Sequence, residues 1–161
     1  MVMEMTRAQV ATFAAAHGSL VATLKAQGLE LDYSLESLKN LEALFGGLRQ
    51  IREEEPARFR ALADGFWFRT GAYVAEVFLR AMPEARISLV DGQLTVAMPS
   101  GLAAGVVKVL PLVRVAKLLH EEETLYEWAV VFLAMAGRLP IDAHQARGAE
   151  DARHCESETP R

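Results

Sequence analysis

The stretch FWFRTGAYVAEVFL, residues 66–79, most constrains how this chain can fold. At 3.6 residues per turn, Phe59, Leu62, Phe66, Thr70, Tyr73, Val77 and Ala81 share one helical face. Trp67, Val74 and Phe78 widen it, and Gly71, Ala72 and Ala75 lie opposite with Phe68 and Leu79. Charge is left only to a narrow stripe of Arg58, Arg69, Glu76 and Arg80. A helix apolar on almost every side is buried between other elements. Gly71 and Ala75, four apart, make a small-residue track for a close neighbour. Gly71 costs about 1 kcal/mol against alanine in a helix, which close packing can offset. Glu76 precedes Arg80 by one turn, the favourable order for an ion pair. The competing reading puts Glu76 and Arg69 on a polar notch that recognises a partner or ligand.

Caps and breakers set the other elements. Thr6 and Gln9 form a capping box, followed by Val10, Phe13, Ala14, His17, Val21 and Leu24 at helical spacing and by Gly28 as a stop. His17 on that apolar face reads as a packed, hydrogen-bonded histidine. Residues 29–33 alternate and are expected to be extended. Ser34 is placed to cap a second helix carrying Leu35, Leu38, Leu41, Phe45 and Leu48. Gly46 and Gly47 within it suggest a kink or a close crossing. The acidic run at residues 53–55 reads as a solvated face, and Pro56 suits the first turn of the central helix.

Asp91-Gly92 between two alternating segments predicts a type I′ hairpin, with Leu89 opposite Leu94 and Ile87 opposite Val96. Residues 106–110 read equally well as a third strand or as helix. Pro111 opens a short helix, and Thr124 with Glu127 predicts a capping box for a last helix, residues 125–136. The expected fold is α+β: several helices on a small antiparallel sheet of two or three strands. A single domain spans residues 6–137. Residues 138–161 are polar, lack aromatics and are expected to be disordered.

At 161 residues the chain is long enough for one real core, and 52% apolar with 24% charged residues is a globular composition. A net charge of −4 argues against nucleic acid, whose binders show a basic face. No apolar run reaches the roughly 18–20 residues of a membrane helix, and the N-terminus lacks the apolar segment of a secretory signal. The single cysteine excludes an intrachain disulfide, in keeping with a cytoplasmic protein.

The chemistry-bearing motifs are few. Gly46-Gly47 lacks the lysine and hydroxyl residue of a phosphate loop. His120 to Glu123 are consecutive, so their side chains do not converge on a metal. His154-Cys155 lies in the tail, where a catalytic pair has no rigid frame. Asp32 and Glu76 are the carboxylates nearest apolar segments. No cofactor, metal or catalytic residue is expected.

The order of motifs resembles a widespread bacterial family of small proteins of unknown function. Its marks are Leu31-Asp32-Tyr33-Ser34, then Gly71-Ala72-Tyr73-Val74-Ala75-Glu76, a short hairpin, and Pro111 followed by Val115 and Lys117. The match covers about residues 29–136, with Ala75 standing where the family pattern has glycine. The resemblance implies helices against a small antiparallel sheet and no established activity.

These readings favour a non-enzymatic protein-interaction module of immunity or accessory type, binding a protein partner or itself. The binding candidates are Arg69, Tyr73, Glu76, Trp67 and Trp128; an exposed tryptophan would be a natural anchor. The alternative is a small-ligand or enzymatic domain with a cleft around Tyr73 and Glu76. A third is a structural homodimer packed through the last helix.

Overall fold

The computed structural model, which describes residues 2–102, 104–120 and 124–138, runs β1 (Val2–Glu4), α1 (Arg7–Ala26), α2 (Ser37–Glu54), α3 (Pro56–Ala81), β2 (Arg86–Val90), β3 (Gln93–Pro99), β4 (Val106–Val109), α4 (Pro111–His120) and α5 (Leu125–Met135). The tail from residue 139 and the acidic run 121–123 lie outside the described residues. The fold is α+β, with helices packed on one antiparallel sheet of strand order β1-β2-β3-β4. The sheet therefore has four strands where the sequence suggested two or three. β4 takes the strand reading, and β1 was not anticipated because three residues are too few to show an alternation.

The apolar stretch lies within α3, but only the second half of the helix is enclosed: Leu62, Trp67 and Phe68 on the first half are exposed. Thr70 to Ala75, Val77 and Phe78 are buried, and α3 touches α1, α2, α4, α5, β2 and β3. The neighbour at the small-residue track is α4. The Leu112 side chain occupies the place a Gly71 Cβ would take, with the Leu112 Cα 3.3 Å from that position. One turn earlier, Trp67 donates its Nε1–H to the Leu112 carbonyl at 2.9 Å. The space left by Gly71 and the donor on Trp67 thus fix where α4 begins.

The hairpin follows its turn chemistry. Asp91 (φ 51°) and Gly92 (φ 79°) both adopt the left-handed region that a type I′ turn demands. Leu89 pairs with Leu94 and Ile87 with Val96. Leu94, Val96, Met98, Val107 and Val109 turn one face of the sheet onto the helices and are buried.

Caps differ from expectation where distant residues compete. The Thr6–Gln9 box forms in full. Ser34 instead accepts from the Ser37 N–H at 3.2 Å in a turn ahead of α2, which starts only at Ser37. Gly46 and Gly47 have no neighbour within 4 Å of where a Cβ would stand, so the close crossing expected there is not formed. The Thr124–Glu127 box also fails. Thr124 donates its hydroxyl to Glu127 at 2.9 Å, and Glu42 of α2 accepts the Tyr126 N–H at 2.7 Å and caps α5 in its stead. From the same helix, Arg49 and Arg52 donate to the Leu118 and Leu119 carbonyls, both at 2.9 Å, and close the C-terminus of α4.

Gly71→Leu is expected to destabilise by about 1–3 kcal/mol through overpacking, despite a propensity gain of up to about 1 kcal/mol. The loss should shrink in a Leu112→Ala background, as a double-mutant cycle of denaturant melts would show. Equal losses in both backgrounds would remove Leu112 as the cause.

Candidate functional site

The two motifs quoted above meet through their tyrosines. Tyr73 is fully buried on α3. Its hydroxyl accepts the Tyr33 backbone N–H at 2.9 Å and donates to the Ser37 hydroxyl oxygen at 2.6 Å. Ser37 in turn donates its hydroxyl proton to the Ser34 carbonyl at 2.6 Å, and Asp32 accepts the Ser34 N–H at 2.9 Å. Residues 32–37 are thereby wound around one phenol. This places Tyr33 at φ 63°, a region that non-glycine residues seldom adopt. The Tyr33 ring stacks on Tyr73 with centroids 4.9 Å apart, and its hydroxyl meets His17 Nδ1 at 2.9 Å.

Glu76 closes the cluster on its outer side. Its carboxylate accepts from Arg80 Nε at 2.8 Å and lies 3.9 Å from His17 Nε2. The Arg80 guanidinium then lies over the Tyr33 ring, 3.7 Å from its centroid. The carboxylate, imidazole and phenol are aligned, but Arg80 already holds the carboxylate and both tyrosine rings are packed. Burial pushes the Tyr33 and Tyr73 hydroxyls above the ordinary phenol value, against the activation a nucleophile needs. Burial also lowers His17, outweighing the upward pull of Glu76, and Arg80 adds to the lowering. The arrangement ties α1, α2 and α3 together as a hydrogen-bonded strut.

Arg69 does not join Tyr73 and Glu76. It lies two turns before Glu76, about 10 Å along the helix axis, and its Nε donates to the Gly65 carbonyl at 2.6 Å. Asp32 is engaged with Ser34 and does not meet Glu76 in any described contact. Trp67 is 38% exposed, but its N–H is spent on Leu112.

Trp128 opens onto a different feature. It packs edge-on against Phe78, ring centroids 5.4 Å apart, and at a tilt against Phe132 at 5.3 Å. Its remaining surface lines a crevice of about 210 Å³ between β4, α4 and α5, walled by Val109, Leu110, Val113 and Phe132. Lys108, Arg114 and Lys117 supply the charge there. Arg114 donates to the Thr124 carbonyl at 2.8 Å. Lys108 and Lys117 are exposed and make no ion pair among the described residues.

A second cavity, of about 290 Å³, lies where α1 leaves part of the sheet uncovered, between Phe13, Phe68, Leu89, Leu94 and Leu112. Its polar side chains are Gln9 and Thr12, both bonded within the first turns of α1. It offers apolar contact and no group to orient a ligand.

Sequence reasoning missed Tyr33 and the partners of His17. The available signal was that buried phenols require a partner for the hydroxyl, but the partners are 16 to 40 residues away. Among the described residues no group of histidine, cysteine or carboxylate side chains is placed to hold a metal ion, and no helix is long and apolar enough to cross a membrane. Comparison with family models, curated proteins and solved structures finds no match to this chain.

The strut carries a pH dependence. His17 is held below its ordinary value, so between its folded and unfolded values the unfolded chain binds the extra proton. Its contribution is full above the unfolded value, about pH 6.5, and is lost as pH falls through the folded one. The melting temperature should drop from about pH 7.5 to about pH 5.5, and drop less in His17→Gln. Equal drops in the two proteins would contradict this role.

Proposed function

We propose that this chain is a non-enzymatic protein-interaction module that binds an acidic, apolar segment of a partner in the crevice between β4, α4 and α5. The observation that carries this reading is the gathering of exposed large apolar side chains around that crevice. Leu110 and Val113 line it, while Val131 and Met135 continue the Trp128–Phe132 stripe of α5 at helical spacing. Apolar surface of this kind, rimmed by polar groups, marks interaction sites. A tryptophan at its centre is the residue type most enriched at binding hot spots. Lys108 and Lys117 on the rim favour a partner carrying carboxylates.

The alternative cleft around Tyr73 and Glu76 has less support. The Tyr73 hydroxyl and the Glu76 carboxylate already have protein partners.

The test is capture from a native lysate with three tagged proteins: wild type, Val113→Asp in the crevice and Val10→Asp on exposed α1. A stoichiometric partner retained by wild type and Val10→Asp but lost from Val113→Asp is the expected result, given equal melting temperatures. A partner retained by Val113→Asp would place binding elsewhere, and no partner for wild type would contradict the reading.

A further inference from the structure

β4 is an edge strand of the sheet, and its register says which of its backbone groups point outward. Ser100 N donates to the Gly105 carbonyl at 3.1 Å, so that pair is a hydrogen-bonded one. Bonded and non-bonded pairs alternate along an antiparallel ladder. Met98–Val107 and Val96–Val109 are therefore bonded, while Pro99–Val106 and Ala97–Lys108 are not. The position of Pro99 agrees, since a residue without an N–H belongs at a non-bonded site. It follows that the N–H and C=O of Val106 and of Lys108 face away from β3. Among the described residues no other element bonds them, and Val106 is 60% exposed.

From this geometry, and resting on the reading of the crevice as a docking site, we propose that the partner segment binds as an added β-strand on β4. It would be an extended peptide with alternating apolar and acidic side chains. Side chains of an added strand alternate between the two faces of the sheet. Those on the face of Val107 and Val109 meet the crevice wall of Trp128 and Phe132 and are apolar. Those on the opposite face lie beside Lys108 and are acidic. Lys108 also selects against self-association, because two β4 edges pairing with each other would bring like charges together.

The probe is a fluorescein-labelled synthetic decapeptide of alternating valine and glutamate, used up to about 1 mM. Binding is read by anisotropy and by movement of the Trp128 and Val113 amide signals in nitrogen–proton spectra. Two main-chain N-methylated versions accompany it, one methylated at the valines and one at the glutamates. Only one set of N–H groups can face β4, so one version should lose binding at least about tenfold while the other binds like the parent. Val106→Pro, which removes an outward N–H and leaves the β3–β4 ladder intact, should weaken the parent peptide similarly at unchanged melting temperature. If both methylated peptides bind alike and still move Trp128, the crevice reading stands and the added strand is overturned. If the parent peptide leaves Trp128 and Val113 unmoved, both fall.

Discussion

The close approach of α4 to α3 at Gly71 is the contact on which the rest of the molecule depends. Leu112 enters the space of a missing Cβ, and Trp67 holds its carbonyl one turn away. Because α4 follows β4 directly, this contact sets the height of the edge strand as well as the tilt of the helix. The next residue, Val113, then faces outward and is 38% exposed. One anchoring residue and its neighbour therefore divide their work, Leu112 sealing the core and Val113 walling the crevice.

The polar tips of the interior are used in a different way. A phenol buried on α3 must find partners or cost free energy on the order of 1–3 kcal/mol. Here it finds them in Ser37 and in the Tyr33 backbone, and residues 32–37 are wound tightly enough to put Tyr33 at positive φ. Glu76 and Arg80 then cover the strut. The polar cluster is thus satisfied from within, whereas the exposed Lys108 and Lys117 make no ion pair among the described residues and are open to a partner.

What was legible in the sequence was what local chemistry decides. Asp91-Gly92 between alternating segments specifies both turn type and register. The Thr6–Gln9 box marks the start of α1, and the apolar face marks residues 70–78 of α3 as the buried centre, although Leu62, Trp67 and Phe68 of the same pattern are exposed. Decisions made at a distance were not legible. Thr124 and Glu127 satisfy the local pattern of a capping box, but Glu42, 84 residues before Tyr126, takes the N–H instead. β1 exists because Met3 pairs with Leu89 across the chain, and nothing in three residues announces that. For the candidate site, the ion pair of Glu76 with Arg80 could be anticipated from helical spacing, whereas the half-buried setting of Trp128 depends on β4 and α4 and could not. The His17–Tyr33–Tyr73 stack could not, since its members lie on three separate segments.

Residue-resolved hydrogen exchange reads the closed strut and the open strand edge at once. The Tyr33 amide, although in a loop, should be strongly protected by the buried Tyr73 hydroxyl. Along β4, Val107 and Val109 should exchange slowly and Val106 and Lys108 fast. A Tyr33 amide as labile as a free loop, or uniform protection along β4, would contradict that arrangement.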